Sequence, residues 1–429
     1  MSDIEVFIEL PGEGSATQVG TMRLIIARGR ERTSFEYSKE WLRHPKRFAL
    51  EPDLPLSPGH QFPHNKPIFN AFSDSAPDRW GRYLVVRQET HQAKKEKRHK
   101  RQLFETDFLL GIHDSVRMGA LRLCKKQGDN TPGPYLADGS TSVPPLIELR
   151  KLQSAVARVD AHQETDEDLT LVFEPGSSLG GARPKAVVRE PDGRTLVAKF
   201  ERENDAYPVI RWEALMLALA KNAGIQVPNS RLVEEGGKAI LLMERFDRNG
   251  EYRVPFISAL TMVGASDGEE RSYLDIVEGI SQYGERPDDD LRELWRRLVF
   301  NILVSNTDDH LRNHGFLHST GGWRLSPAYD MNPVPADIGP RVLSVAVDEH
   351  GDRSASLQLA IETAGYYGID EDDARQISNE IAQAVSQWRN LTGKFGIPAA
   401  QKTYMETAFE HADMDLALKF GKPIKGTSR

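Results

Sequence analysis

Cysteine is almost absent from this chain of 429 residues, with Cys124 the sole example. No internal disulfide can form, and neither a disulfide scaffold nor a multi-cysteine zinc site is open to it. Such usage suits a reducing compartment, so a cytoplasmic location is expected. Long hydrophobic runs are missing as well. A stretch such as Ala214–Ala220 falls far short of a membrane span, and no membrane association is expected. The opening residues, MSDIEVFIEL, lack the basic-then-apolar order of a secretory signal. Positive charge is not in excess either. The 55 Lys and Arg face 63 Asp and Glu, and the net charge of −8 argues against wholesale coating of nucleic acid. No internal repeat or long low-complexity segment is evident.

What is present is enough for ordinary cores, with 39% hydrophobic residues spread over a length that suits two or three units. Residues 3–9 and 20–27 alternate as half-buried strands do. Residues 76–92 read as a helix that Ser75 could cap, with Pro77 in its first turn. Next comes Lys94–Arg101, with six Lys or Arg and one Glu; a solvated surface is the plain reading, an acidic or nucleic-acid partner the alternative. Residues 126–145, rich in Gly, Pro, Ser, Thr and Asp, form the best linker candidate. A helix is expected over 146–165, a strand over Leu169–Phe173, then strands at Ala186–Arg189 and Thr195–Phe200 joined at Pro191-Asp192-Gly193. A helix over about 208–222 and strands near 230–233 and 238–243 follow. From about 247 helical patterns dominate, at 256–263, 272–282, 288–305, 370–393 and 403–417. Asp288, Asp289 and Asp290 open one of these, as the helix dipole favours. The expected organisation is an N-terminal α/β part over 1–125, a mixed part over 146–246 and a mainly helical part over 247–429.

The richest stretch runs from Asn301 to Leu317, where an apolar helix leads into polar, titratable groups. Asp308 and Asn313 stand five residues apart, the spacing of a protein-kinase catalytic loop. There a carboxylate accepts the proton of an attacking hydroxyl, and an amide oxygen holds magnesium at the phosphates. Asp330, 17 residues beyond Asn313, supplies a second metal-binding carboxylate, although Met331-Asn332-Pro333 follows it where kinases usually carry Phe-Gly. An acidic cap and a solvated loop would leave the same letters. A metal-dependent hydrolase is a rival reading, since a helix would bring His310 and His314 to one face beside Asp308 and Asp309; Gly315 and the lack of a third ligand speak against it.

Gly176–Lys185 is a glycine-rich segment read between strands, where backbone N–H groups can approach phosphates. It contains Gly176-Ser177-Ser178-Leu179-Gly180, the letters of a hydrolase nucleophile elbow, but Gly180, Gly181 and Pro184 oppose the helix an elbow requires. A structural turn is the bland alternative. In Val197-Ala198-Lys199-Phe200 the lysine follows that loop on a strand, where a kinase places its phosphate-pairing lysine, and Glu213 on the next helix is a candidate partner. Glu244-Arg245-Phe246 lies where an apolar strand ends, the place from which a kinase offers backbone groups to adenine; a plain strand exit reads the same way.

Taken in order, these motifs resemble the HipA family of bacterial serine/threonine kinases, toxins of toxin–antitoxin pairs. The resemblance rests on Ser178–Lys185, Glu244–Arg248, Thr307–Asn313 and Tyr329-Asp330. Phe69–Phe72, Pro77–Gly81 and Gly119–Arg122 add a likeness to the family's N-terminal region. It implies an α+β, bilobal protein-kinase-like fold that transfers the γ-phosphate of ATP, with Mg2+, to a protein Ser or Thr. It implies Asp308 as base, and Asn313 and Asp330 as metal ligands. It implies phosphate binding by Gly180, Gly181, Ala182, Arg183, Lys185 and Lys199. The adenine site would be lined by Glu244, Arg245 and Phe246, and His310, Arg312 and Asn313 with Tyr329 and Asp330 would complete the pocket. The loop serine, Ser178 or its neighbour Ser177, would be an inhibitory autophosphorylation site. A helix-turn-helix antitoxin is the implied partner, with DNA reached through that complex. A catalytically silent nucleotide-binding protein would keep the same fold.

Overall fold

The computed structural model describes residues 2–10, 13, 15–125, 135–136, 143–173, 181, 183–250 and 252–421. The linker candidate at 126–145 and the stretch 174–180 therefore lie largely outside the described residues. The chain divides into two compact units, one of residues 1–204 and 233–266, the other of residues 205–232 and 267–429.

The first unit holds two four-stranded sheets and a small two-stranded one, Arg248–Asn249 with Tyr252–Arg253. In the N-terminal sheet the strands run in the order Arg30–Tyr37, Thr17–Ala27, Ser2–Ile8, Leu121–Lys125. Along Ser2–Ile8 the residues Ile4 to Ile8 are all buried, Glu5 and Phe7 as well as Ile4, Val6 and Ile8. The hairpin joining Thr17–Ala27 to Arg30–Tyr37 turns at Arg28 and Gly29, both at positive φ. The second sheet runs Lys185–Arg189, Thr195–Phe200, Lys238–Glu244, Ser230–Glu235; the division between the units falls within the last of these strands. One face of this sheet, with Ala186, Val188, Leu196, Ala198, Ile240 and Leu242, packs into a core with Trp80 and Leu84, Leu152 and Val156, and Leu169 and Val172 from three helices.

Local structure departs from the sequence reading where capping outweighs pattern. Leu169–Phe173 is not a strand but the end of a helix, Asp166–Phe173. Thr165 and Asp168 cap it reciprocally: the Thr165 N–H donates to Asp168 Oδ2 at 2.9 Å and the Asp168 N–H to Thr165 Oγ1 at 3.2 Å. The glycine-rich segment is thus preceded by a helix. The helix expected at 76–92 spans Arg79–Lys95, and its cap is Asp78 rather than Ser75, which instead ends the short helix Asn70–Asp74. The expected helix at 256–263 begins as a strand, Phe256–Ser258, and only Ala259–Met262 is helical.

The second unit is mainly helical. Pro287–Leu303 is its central helix, with Leu294, Trp295, Leu298, Val299 and Phe300 fully buried. Three acidic residues fill its first turn, Asp288, Asp289 and Asp290. Arg341 caps its other end, donating to the Ile302 carbonyl at 2.9 Å and to Ser305 Oγ at 3.0 Å. Trp212 and Trp388 both stack on Phe409, with ring centroids 5.9 and 4.5 Å away. The pattern at 370–393 resolves into Glu371–Val385 and Trp388–Leu391, and that at 403–417 into Ala399–Phe409 and Ala412–Lys419, with His411 as the second cap. No helix among the described residues is long and apolar enough to cross a membrane.

Candidate active site

The lysines of the first unit are placed by strand register. Lys185 stands directly opposite Lys199, and both point away from the helix-covered face because their neighbours Ala186 and Ala198 occupy it. Both are buried. The Lys185 ammonium donates to Asp78 Oδ2 at 2.5 Å and reaches the Gly181 carbonyl at 3.4 Å, and its own carbonyl accepts from Trp80 Nε1 at 3.1 Å. Gly181 has φ of +107°, a conformation that L side chains rarely adopt. Arg183 is half-buried, and Gly180, Ala182, Ser177 and Ser178 lie outside the described residues.

The strand exit at Glu244–Arg248 is dominated by charge. Arg245 is fully buried; its Nε and Nη2 donate to the two Asp247 oxygens at 2.9 and 2.7 Å, and it also reaches the carbonyls of Val116 and Arg117. Its backbone N–H donates to Thr195. Arg248 and the Gly119 N–H also donate to Asp247, at 2.6 and 2.8 Å. Burial pushes the Asp247 carboxyl up, but the two guanidiniums beside it hold it far below the carboxylate range. Arg245 therefore ties the end of the strand to the turn at 116–119, a structural commitment its sequence position did not reveal. Glu244 is half-buried and pairs with Arg194 at 3.5 Å, and the Phe246 ring lies 6.2 Å from that of Phe256.

In the second unit the central helix ends at Leu303, and Ser305, with φ of +53°, turns the chain into the loop. The two adjacent aspartates then part company. Asp308 is exposed. Asp309 is buried, accepting from the Tyr273 hydroxyl and paired with His314 Nε2 at 2.8 Å. Burial raises the Asp309 carboxyl, yet the His314 charge and these hydrogen bonds prevail and leave it below its ordinary value. Asn301 donates to the Tyr273 hydroxyl and accepts from Asn306, extending the network under the loop. Asp309 is thus a scaffold for the loop, and neither Tyr273 nor that role was read from the sequence.

Asn313 Nδ2 donates to the Asp308 carbonyl at 3.1 Å. That bond fixes the amide orientation and leaves Oδ1 buried with no hydrogen-bond partner among the described residues. A buried, unpartnered amide oxygen costs free energy unless something electropositive meets it. The residues fit a magnesium site in which one or two protein oxygens share the ion with phosphates and water. No cluster of three or more His, Cys, Asp or Glu among the described residues is placed to hold a metal. After the hairpin Gly315–Ser319 and Gly322–Leu325 the chain returns, and the Tyr329 hydroxyl donates to the Arg312 carbonyl at 2.7 Å. Asp330 follows at φ of +59°, half-buried. The Arg312 side chain makes a bidentate pair with Asp267, both bonds 2.9 Å long. His310 is half-buried, and its Nδ1 has no partner among the described residues. The helix that would align His310 with His314 is absent: Leu311–Asn313 is a single tight turn, and His314 Nε2 is committed to Asp309.

These features define the class as protein-kinase-like, mixed α and β in one unit and mainly helical in the other. Residues 15–122 match the HipA N-terminal domain and residues 177–388 the HipA-like C-terminal domain, and the chain belongs to the HipA family. A putative kinase of Haemophilus influenzae is 25% identical over 216 residues, 44% of this chain and 63% of that protein. The serine/threonine-protein kinase toxin HipA of Shewanella oneidensis is 27% identical over 253 residues, 50% of this chain and 58% of that protein. The matches thus span less than two thirds of these relatives' own length. The Shewanella oneidensis HipA solved with HipB and its operator DNA superposes with a TM-score of 0.63, covering 97% of this chain and 96% of that one at 16% identity, a likeness of fold.

Proposed function

We propose that this protein is an ATP-dependent serine/threonine protein kinase, with Asp308 as its base. The observation that carries the reading is the loop 308–313: an exposed carboxylate, and an amide whose nitrogen is bonded to that same residue and whose oxygen is buried without a partner. ATP with magnesium, when bound, supplies the phosphoryl group and the cation that neutralises its charge. Asp308 would accept the proton of the attacking Ser or Thr hydroxyl as its oxygen bonds the γ-phosphorus and the bond from that phosphorus to the β–γ bridging oxygen breaks, so that ADP leaves. Asn313 Oδ1 and the Asp330 carboxylate would hold the metal, and Lys185 and Lys199 would bind phosphate oxygens together with the loop at 180–183. The Arg312 carbonyl, held by Tyr329, fixes the spacing of the loop. Glu244 to Phe246 line the adenine site, Arg245 through its position rather than its committed side chain.

A toxin's role, assembly with a helix-turn-helix antitoxin and approach to DNA through that complex belong to the same proposal, supported by the relatives described as toxins and by the solved HipA complex with HipB and operator DNA. So does autophosphorylation at Ser178 or Ser177. A phosphate there adds about two negative charges to a loop that binds phosphate, so Ser178→Asp should weaken ATP binding. The deciding experiment is mass spectrometry of the purified chain after incubation with ATP and magnesium, set beside Asp308→Asn. Phosphate on the native chain alone supports the reading. A native chain that binds no ATP would sink it, and binding without transfer would favour a silent nucleotide-binding protein.

A further inference from the structure

Asp78 caps the helix Arg79–Lys95 with one oxygen, accepting from the Gly81 N–H at 2.9 Å. Capping requires no more than that, and an Asn or Ser would do it as well. The other oxygen takes the Lys185 ammonium at 2.5 Å, with the two side chains only 10% and 2% exposed. Trp80, in the same helical turn, holds the Lys185 carbonyl. One turn of helix therefore grips both the main chain and the charge of a single residue in the sheet.

That residue has reason to need a carboxylate. Lys185 lies directly across the ladder from Lys199, and like charges at opposed positions repel. Both lysines are buried, where such repulsion is weakly screened. Asp78 supplies the compensating charge beside Lys185, and Lys185 in turn reaches back to the Gly181 carbonyl of the glycine-rich segment. The contact also links the two family domains, since Asp78 lies in the stretch matching the N-terminal one and Lys185 in that matching the C-terminal one.

We infer that Asp78 is a positioning residue for nucleotide phosphates, holding the Lys185 ammonium in a binding arrangement beside the Gly181 carbonyl; the inference rests on the kinase reading of Lys185. The N-terminal domain is then a working part of the nucleotide site. Asp78→Asn is the discriminating variant, because it keeps the cap and removes the charge.

The test is a double-mutant cycle with ATP and magnesium titrated by calorimetry into the full chain, its Asp78→Asn and Lys185→Met variants and the double variant. Asp78→Asn is expected to weaken ATP binding about tenfold. In transfer assays it should raise KM for ATP by a similar factor and leave kcat within about twofold, the mark of lost ground-state binding. In the Lys185→Met background it should add no further loss. Unchanged affinity in Asp78→Asn, tighter binding, or an equal loss with and without Lys185 overturns the inference. Asp78→Ser, which also caps, gives a second route to the same comparison if the Asn variant folds poorly. A native chain that binds no ATP fails the kinase reading itself, whereas native binding with no coupling between positions 78 and 185 fails this inference alone.

Discussion

Two adjacent aspartates stand in opposite surroundings. The sequence spacing to Asn313 favours Asp308 as base, and the structure leaves Asp308 exposed while burying Asp309 against Tyr273 and His314. Replacing Asp308 with Asn should cut phosphate transfer on the order of a thousandfold and shift stability by no more than about 0.5 kcal/mol, because an exposed side chain outside the core is removed. Asp309→Ala should do the reverse in stability, costing about 3 kcal/mol by leaving buried partners unsatisfied. Its pH dependence has a definite sign. The folded-state carboxyl lies below its ordinary value, so its stabilisation is complete above the unfolded value of about 4 and is lost as pH falls through the lower folded value. Denaturant midpoints of native and Asp309→Ala chains should differ most near neutrality and converge in acid. Asp309's role was illegible in the sequence because its partner Tyr273 lies 36 residues away, while the spacing within 308–313 is local and could be read.

At the scale of elements, the sequence disclosed most of the strands and helices, and it failed where a cap or a distant partner decides. The run Leu169–Phe173 has the apolar character of a strand, yet the Thr165–Asp168 cap and the buried Leu169 and Val172 make it a helix. Arg245 matched a nucleotide-site motif by position, but its guanidinium serves Asp247 and the turn at 116–117, over a hundred residues earlier in the chain. Asp247→Asn should therefore leave buried arginines without their counter-charge and cost about 3–5 kcal/mol, read as a fall in the denaturant midpoint. Arg341→Ala tests how the central helix hands over to the loop at 306–313. It removes donors to Ile302 and Ser305 at a helix C-terminus and a pair with Asp413, so a loss of about 2 kcal/mol is expected. Because Ser305 begins the turn into 306–313, kcat should fall several-fold in the same variant at temperatures where it remains folded.

For the whole molecule, the division into units is discontinuous: the chain leaves the first at 204, returns at 233 and leaves again at 266. A reading along the sequence cannot see such a pattern, since it is set by which helices find cores and not by where linkers fall. The proposed nucleotide ligands are Lys185, Lys199, Asn313 and Asp330. A ligand that binds only the folded chain stabilises it by mass action, by about 2.7 kcal/mol at a hundredfold excess over Kd. ATP with magnesium should accordingly raise Tm in a concentration-dependent way. Chelating the metal should remove most of that rise, since Asn313 Oδ1 and Asp330 can contribute only through the cation. Asn313→Ala should lose the metal-dependent part and keep a smaller shift with ATP alone, because the lysines remain; Lys199→Met should lose part of the shift with or without metal. Thermal unfolding of the three proteins with ATP, magnesium and chelator in turn separates these terms. A rise in Tm as large in Asn313→Ala as in the native chain would remove Asn313 from the metal site.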